Sequence, residues 1–129
     1  MSVTAERTKR IMNAAEAKAT ELGLNITICI VDDNGLTKGL LRMDGARFTT
    51  VDIAVGKARA SAGTGRSNGE TAERAGRPVF QFQAIHNGFL FAQGGEPIME
   101  NGEFVGAVGI SGGTTGQLDE DIAKAGLEA

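Results

Sequence analysis

Gln93-Gly94-Gly95-Glu96-Pro97-Ile98-Met99-Glu100-Asn101-Gly102-Glu103-Phe104-Val105-Gly106-Ala107-Val108-Gly109-Ile110-Ser111-Gly112-Gly113-Thr114-Thr115 reads as two strands joined by a tight turn, then a glycine loop that feeds a last helix. Asn101-Gly102 between apolar runs is the strongest short-range hairpin signal, because a type I′ turn needs positive φ at both central residues. Alternation after the turn predicts Val105, Ala107 and Gly109 on one face, with Phe104, Val108 and Ile110 on the other. Eight of the 19 glycines fall between Gly94 and Gly116. With no side chain at Gly106, Gly109 and Gly112, backbone or ligand can approach closely. This surface is made for contact.

The remaining segments extend the pattern in both directions. Ser2 or Thr4 can cap a helix that runs to about Leu22 and stops at Gly23. Its apolar stripe is Ile11, Ala15, Ala19 and Leu22, rich in alanine and so able to lie close to a sheet. Residues 26–32 form a continuous apolar strand, Asp33-Asn34-Gly35 turns, and 36–43 returns as its hairpin partner. Thr49 or Thr50 is expected to cap a second helix over about 50–62. A glycine-rich loop from Gly63 to Gly69 leads to a short helix near 70–75, and Pro78 marks the next boundary. Residues 79–85 read as loop or short strand, Asn87-Gly88 as a turn, and Phe89-Leu90-Phe91-Ala92 as a further strand. The final helix spans about Gly116 to Leu127. The expectation is one α+β domain over residues 1–129, a mainly antiparallel sheet of about five strands with helices packed on it.

Composition narrows the function classes. The 129 residues suffice to bury a sizeable core, and 41% hydrophobic content fits an ordinary soluble protein. The net charge is −3, distributed as +2 over residues 1–64 and −5 over 65–129. With no Trp or Tyr and only six Phe, the chain lacks an aromatic platform for single-stranded nucleic acid, and its net charge argues against a nucleic-acid face while leaving room for a modest basic patch in the first half. No apolar run reaches the roughly 18 residues that a membrane span requires. Cytoplasm is the expected compartment. The single cysteine, Cys29, excludes an internal disulfide framework and lies in an apolar strand, where a buried inert thiol is the expectation.

The chemistry-bearing motifs are few. Gly63-x-Gly65-x-x-Asn68 lacks the third glycine of a dinucleotide fingerprint and follows a helix, and Gly69-Glu70 fails the P-loop pattern. Gly112-Gly113-Thr114-Thr115 precedes a helix whose first N–H groups can hold an anion. Thr114-x-x-Gln117 also matches a capping box, with Asp119, Glu120 and Asp121 complementing the helix dipole. One Cys and one His exclude a Cys- or His-rich zinc site. His86 is the only imidazole, the one neutral-pH switch available as base or iron ligand, and it adjoins a turn where simple exposure is the competing reading. No Gly-x-Ser-x-Gly elbow supports Ser-His-Asp catalysis. Arg42 closes a strand and Lys57 sits on the following helix, each able to pair with an internal carboxylate or with a ligand's.

Taken together, Val31-Asp32-Asp33-Asn34-Gly35, Arg42-Met43-Asp44-Gly45-Ala46, Ile53-Ala54-x-x-Lys57-Ala58, Gly94-Gly95-Glu96-Pro97-Ile98 and Gly106-Ala107-Val108-Gly109-Ile110-Ser111-Gly112-Gly113 resemble the GlcG/HbpS-like family of haem-binding, haem-degrading domains. The same domain forms the C-terminal part of some cobalamin adenosyltransferases. The resemblance covers nearly the whole chain in the right order. It implies a profilin-like α+β fold with helices on both sheet faces, and self-association into dimers or larger rings. Some members carry a histidine in the first helix; Ile11 to Leu22 here offers none.

Three functions are weighed. The first is binding of a small molecule, haem or another tetrapyrrole, with Arg42 and Lys57 facing propionates. Gly94, Gly95, Ser111, Gly112, Gly113 and Thr114 would then line the site, with His86 or Met43 on the haem iron. The second is a cofactor-independent isomerase, hydratase or lyase acting on a small organic acid in a catabolic pathway. There His86, Asp44, Glu96 or Asp119 would act as base and Arg42 or Lys57 would hold the substrate's charge. The third is a structural assembly subunit, whose glycine strands are subunit contacts.

Overall fold

The computed structural model describes residues 1–75 and 88–129, except for the side chains of 72–75. Helix α1 (Ala5–Glu21) starts where the Thr4 hydroxyl accepts the Arg7 N–H at 3.1 Å and ends before Gly23, at φ +71°. Strands β1 (Thr27–Asp32) and β2 (Thr37–Arg42) form a hairpin. Its turn is held by the Asp32 carboxylate, which accepts the N–H groups of Asn34 and Leu36 at 2.8 and 3.0 Å. Helices α2 (Thr49–Thr64) and α3 (Asn68–Ala75) follow, then β3 (Gly95–Glu100), β4 (Glu103–Ser111) and α4 (Gly116–Leu127). Between β3 and β4, Asn101 and Gly102 take φ +53° and +78°, the two positive values that a type I′ turn requires.

The sheet has four strands in the order β2-β1-β4-β3, every neighbour antiparallel. The central pair reads as continuous apolar sequence because helices cover both of its faces. On one face, Ile28 and Ile30 of β1 and Val108 and Ile110 of β4 pack against Ile11, Ala15 and Ala19 of α1 and Ile122 and Ala123 of α4. On the other, Cys29, Val31 and Ala107 meet Ala54 and Ala58 of α2. Burying each Ile contributes roughly 1.5–3 kcal/mol, so the first face carries most of the hydrophobic stabilisation. The second gains closeness instead of bulk. A Cβ on Gly109 would run into the Ala54 carbonyl oxygen and lie 2.6 Å from the Ala58 nitrogen, so α2 sits directly on the strand backbone.

Four expectations are corrected. Among the described residues the sheet has four strands, not about five. Phe89–Ala92 pairs with no strand among the described residues; the Leu90 N–H goes to the Gly56 carbonyl at 3.0 Å and the Leu90 carbonyl accepts from Asn68 Nδ2 at 3.3 Å. Val105 lies in the same cluster as Val108 and Ile110, opposite to the alternation. The cause is a bulge: the β3–β4 register passes from Ile98↔Gly106 to Met99↔Phe104, leaving Val105 as the extra residue. Neither Thr49 nor Thr50 caps α2, whose N-cap is Phe48 without a side-chain bond. Thr50 instead donates to the Arg47 carbonyl at 2.6 Å and shares a buried 2.7 Å hydrogen bond with Thr27. The cap of α4 is Thr115, accepting the Leu118 N–H at 3.1 Å, so the Thr114/Gln117 box does not form. His86, Pro78 and residues 79–85 lie outside the described residues.

Candidate functional site

The strand register brings three loops to one end of the sheet. Thr27 stands opposite Arg42 on β2 and opposite Ser111 on β4, so the loops before β1, after β2 and after β4 must converge there. Between them lies a cleft of about 420 Å³, lined by Gly23, Leu24 and Asn25, by Gly45, Ala46, Arg47 and Thr50, and by Gly112 and Gly113. That volume falls within the range of roughly 300–1,000 Å³ usual for small-molecule sites. Its walls are mostly glycine and alanine, and among the described residues Arg47 brings the one charged side chain to the lining. Gly112, at φ +127°, can be nothing larger, since a Cβ would lie 2.7 Å from the Asn25 carbonyl oxygen and 2.9 Å from Ile26 Cα.

Behind the glycine wall is a buried ion pair. Lys57 Nζ lies 2.9 Å from Asp119 Oδ2 and donates to the Ile110 carbonyl at 2.8 Å; each residue is 5% exposed. The other carboxylate oxygen, Asp119 Oδ1, accepts the Gly113 N–H at 2.7 Å. Glycines make the room. A Cβ on Gly94 would lie 2.8 Å from Asp119 Cβ and 3.1 Å from Lys57 Nζ, and one on Gly113 would lie 2.6 Å from Asp119 Oδ1. Gly95 likewise admits Asn68, whose Nδ2 donates to the Lys57 carbonyl at 2.9 Å. The close approach expected at Gly109 is made by α2 and that at Gly112 by Asn25 and Ile26, while Gly94, Gly95 and Gly113 make room for Lys57, Asn68 and Asp119.

A second cleft, about 260 Å³, opens at the β3 edge among Ser67, Gly69, Glu70, Gln93, Glu96, Gln117, Glu120 and Lys124. Glu96 is buried and accepts from the Ser67 hydroxyl at 2.5 Å. Burial raises its pKa above the ordinary 4.5; the Ser67 bond opposes this, and the Glu120 and Glu70 carboxylates add to it. Lys124 pairs with Glu120 at 3.1 Å, and that hydrogen bond raises the lysine's pKa. Among the described residues, no group of three or more His, Cys, Asp and Glu could hold a metal ion.

The sequence-nominated residues fall in several places. Gly112 and Gly113 line the first cleft, whereas Lys57, Asp119 and Gly94 sit behind it and Gly95 beside Asn68. Glu96 belongs to the second cleft. Arg42 is exposed and donates to the Ala46 carbonyl at 3.3 Å, Asp44 and Thr114 are exposed, and Ser111 is buried at the end of β4. Met43 packs against the larger core cluster. The candidate bases Asp44, Glu96 and Asp119 thus occupy three separate surroundings. Sequence reasoning missed Arg47, Asn25 and Thr50. The signal available was Arg47-Phe48, a charged and an aromatic residue left in a short loop, with Phe48 78% exposed. Cys29 is buried, and burial pushes its thiol up to about 11, so it is no nucleophile.

A four-stranded antiparallel sheet, flanked by helices and bearing a loop-built cleft at one end, defines a class of small α+β domain. Comparison with known proteins makes that class specific. The family described as "Haem degrading protein HbpS-like" matches residues 3–128, and the chain belongs to it. A crystal structure of a Streptomyces reticuli HbpS double mutant is 32% identical, with a TM-score of 0.91 over 99% of this chain and 86% of that one. An uncharacterised 15.0 kDa protein from the dhaT-dhaS intergenic region of Citrobacter freundii is 32% identical over 98% of this chain and 91% of its own length. The corrinoid adenosyltransferase PduO of C. freundii is 29% identical over the whole chain, which spans 39% of that enzyme. A crystal structure of PduOC in complex with haem, 22% identical and covering 99% and 94% of the two chains, shares the fold at a TM-score of 0.89. Among the described residues, no helix is long and apolar enough to cross a membrane.

Proposed function

We propose that this protein binds haem, and that the porphyrin edge and propionates are received at the cleft bounded by Gly112-Gly113 and Arg47. The observation that carries the ligand class is membership, over residues 3–128, of a family described as haem degrading. The lining suits the periphery of a flat dianionic ligand. Glycine and alanine walls admit a plane, Leu24 adds apolar surface, and the Arg47 guanidinium can fork onto a carboxylate. The same lining suits the iron poorly. Among the described residues it contains no imidazole, thioether or thiolate, and the Thr50 hydroxyl is already engaged by Thr27 and the Arg47 carbonyl. We therefore assign the iron to His86, the one histidine of the chain. Met43 is the weaker candidate because its side chain is packed on the core. When bound, haem supplies redox chemistry; the chain's own cleft residues bind and orient it.

The remainder of the reading is self-association and a cytoplasmic setting. The exposed Leu36, Leu40 and Phe48 support the first, and a single free, buried thiol is compatible with the second. Haemin titration followed at the Soret band tests the main proposal on wild type, Arg47→Ala and His86→Ala. Saturable binding is expected in wild type. Arg47→Ala should weaken it about tenfold, the scale of one charge-assisted hydrogen bond. His86→Ala should change the spectrum of the bound species. No saturable shift in wild type overturns the proposal. Light scattering coupled to size exclusion reads the oligomeric state directly.

A further inference from the structure

We infer that Lys57 and Asp119 are positioning residues for the ligand cleft, acting through the Gly113 N–H, although neither side chain lines it. This assignment rests on the haem reading for the identity of the ligand, and on the geometry for everything else. Asp119 divides its two oxygens between α2 and the cleft wall: Oδ2 takes Lys57 Nζ at 2.9 Å and Oδ1 takes the Gly113 N–H at 2.7 Å. Lys57 binds the opposite side of the same wall, donating to the Ile110 carbonyl at 2.8 Å just where β4 ends. The Ile110 N–H in turn goes to the Gly94 carbonyl at 2.9 Å. One buried cation thus ties α2, the β4 terminus and the first turn of α4 together around the loop Gly112–Thr115.

Thr115 ties the far end of that loop to α4 by its cap, and Gly112 packs on Asn25 and Ile26, which leaves Gly113 held through its N–H. Gly112 and Gly113 have no side chains, Gly112 stands at φ +127°, and Thr114 and Thr115 are exposed. Without an acceptor, the Gly113 N–H would turn outward and the cleft wall would sample other positions. The pair is also a poor source of stability in itself, because burying two charges costs about what their attraction returns. What the pair provides is the acceptor that Asp119 Oδ1 offers to Gly113. The same commitment removes the Gly113 N–H from any anion hole and leaves Asp119 no free oxygen to act as a base.

The test separates positioning from stability. Replacing both partners by apolar residues of similar volume, Lys57→Met with Asp119→Leu, leaves no unpaired buried charge and should melt near wild type. The Gly113 N–H then has no acceptor, and its hydrogen exchange should accelerate about tenfold or more. Haemin affinity should fall by about tenfold while the Soret maximum of the bound form stays in place. Asp119→Asn, which keeps an acceptor for Gly113, should bind haemin more tightly than the double variant. The assignment is overturned if Gly113 exchange is unchanged in the double variant. It is also overturned if that exchange accelerates while the haemin Kd stays within twofold of wild type. Should wild type bind no haemin, the haem reading falls alone, and Gly113 exchange still decides whether the pair holds the loop.

Discussion

Replacing Gly109 with alanine should be among the most damaging single-methyl additions this fold can receive. The added Cβ would run into the Ala54 carbonyl oxygen and lie 2.6 Å from the Ala58 nitrogen and 3.0 Å from Ala58 Cβ. All three belong to α2, and the first two are backbone, so no rotamer change relieves the clash. The helix must retreat by about 1 Å to restore normal contact distances near 3.5 Å. Retreat loosens Ala54 and Ala58 from Cys29, Val31 and Ala107, the whole second core layer. Overpacking costs roughly 1–3 kcal/mol, and the backbone character of the clash places this case at about 3. For a chain of 129 residues, that lowers Tm by roughly 10 °C. Gly102→Ala is the control. Gly102, unlike Gly109, is at positive φ, and nothing lies within 4 Å of its added Cβ, so only the left-handed strain of about 1–2 kcal/mol applies. Urea and thermal unfolding followed by circular dichroism measure both. If Gly109→Ala costs no more than Gly102→Ala, α2 does not rest on β4 as described.

Three further outcomes are expected. Glu96→Gln should stabilise the protein at neutral pH: burial first, then the Glu120 and Glu70 carboxylates, raises the native carboxyl above 4.5. The native state therefore binds more protons than the unfolded chain between 4.5 and the raised value, and wild-type stability falls as pH rises through that window. The variant's advantage should vanish below pH 4.5, and an advantage that grew toward acid would contradict the assignment. Thr115→Ala should cost about 1 kcal/mol through loss of the α4 cap, and Thr114→Ala clearly less; equal costs in chemical denaturation would return the cap to Thr114. Thr50→Val should cost about 1–3 kcal/mol, because the Thr27 hydroxyl then loses its partner in a buried site. The double Thr27→Val/Thr50→Val variant should recover part of that loss in the same assay.

The sequence by itself determined the elements whose causes are local. Asn101-Gly102 fixed the β3–β4 turn because few residue pairs tolerate two positive φ values. Ser2 or Thr4 and Gly23 bounded α1 through a hydroxyl acceptor and a left-handed stop, and the structure takes Thr4. The apolar run at β1 marked a strand covered on both faces, and the motif set from Val31 to Gly113 indicated the family. Tertiary structure decided what depends on partners distant in the chain. Phe89–Ala92 has strand-like composition, but Gly56 and Asn68 take the backbone groups of Leu90. Val105 changed faces because a bulge opposite Ile98 and Met99 added one residue to β4. Lys57 and Asp119, 62 positions apart, could each have met a ligand on sequence evidence alone. In the fold they meet each other, because burial makes an unpaired charge far more costly than a paired one. Arg47 reached the cleft by the opposite route. Its local signal, an arginine beside Phe48 in a short loop, points to no particular ligand or partner, and only the antiparallel register, by bringing three loops to one end of the sheet, sets it beside Gly112 and Gly113.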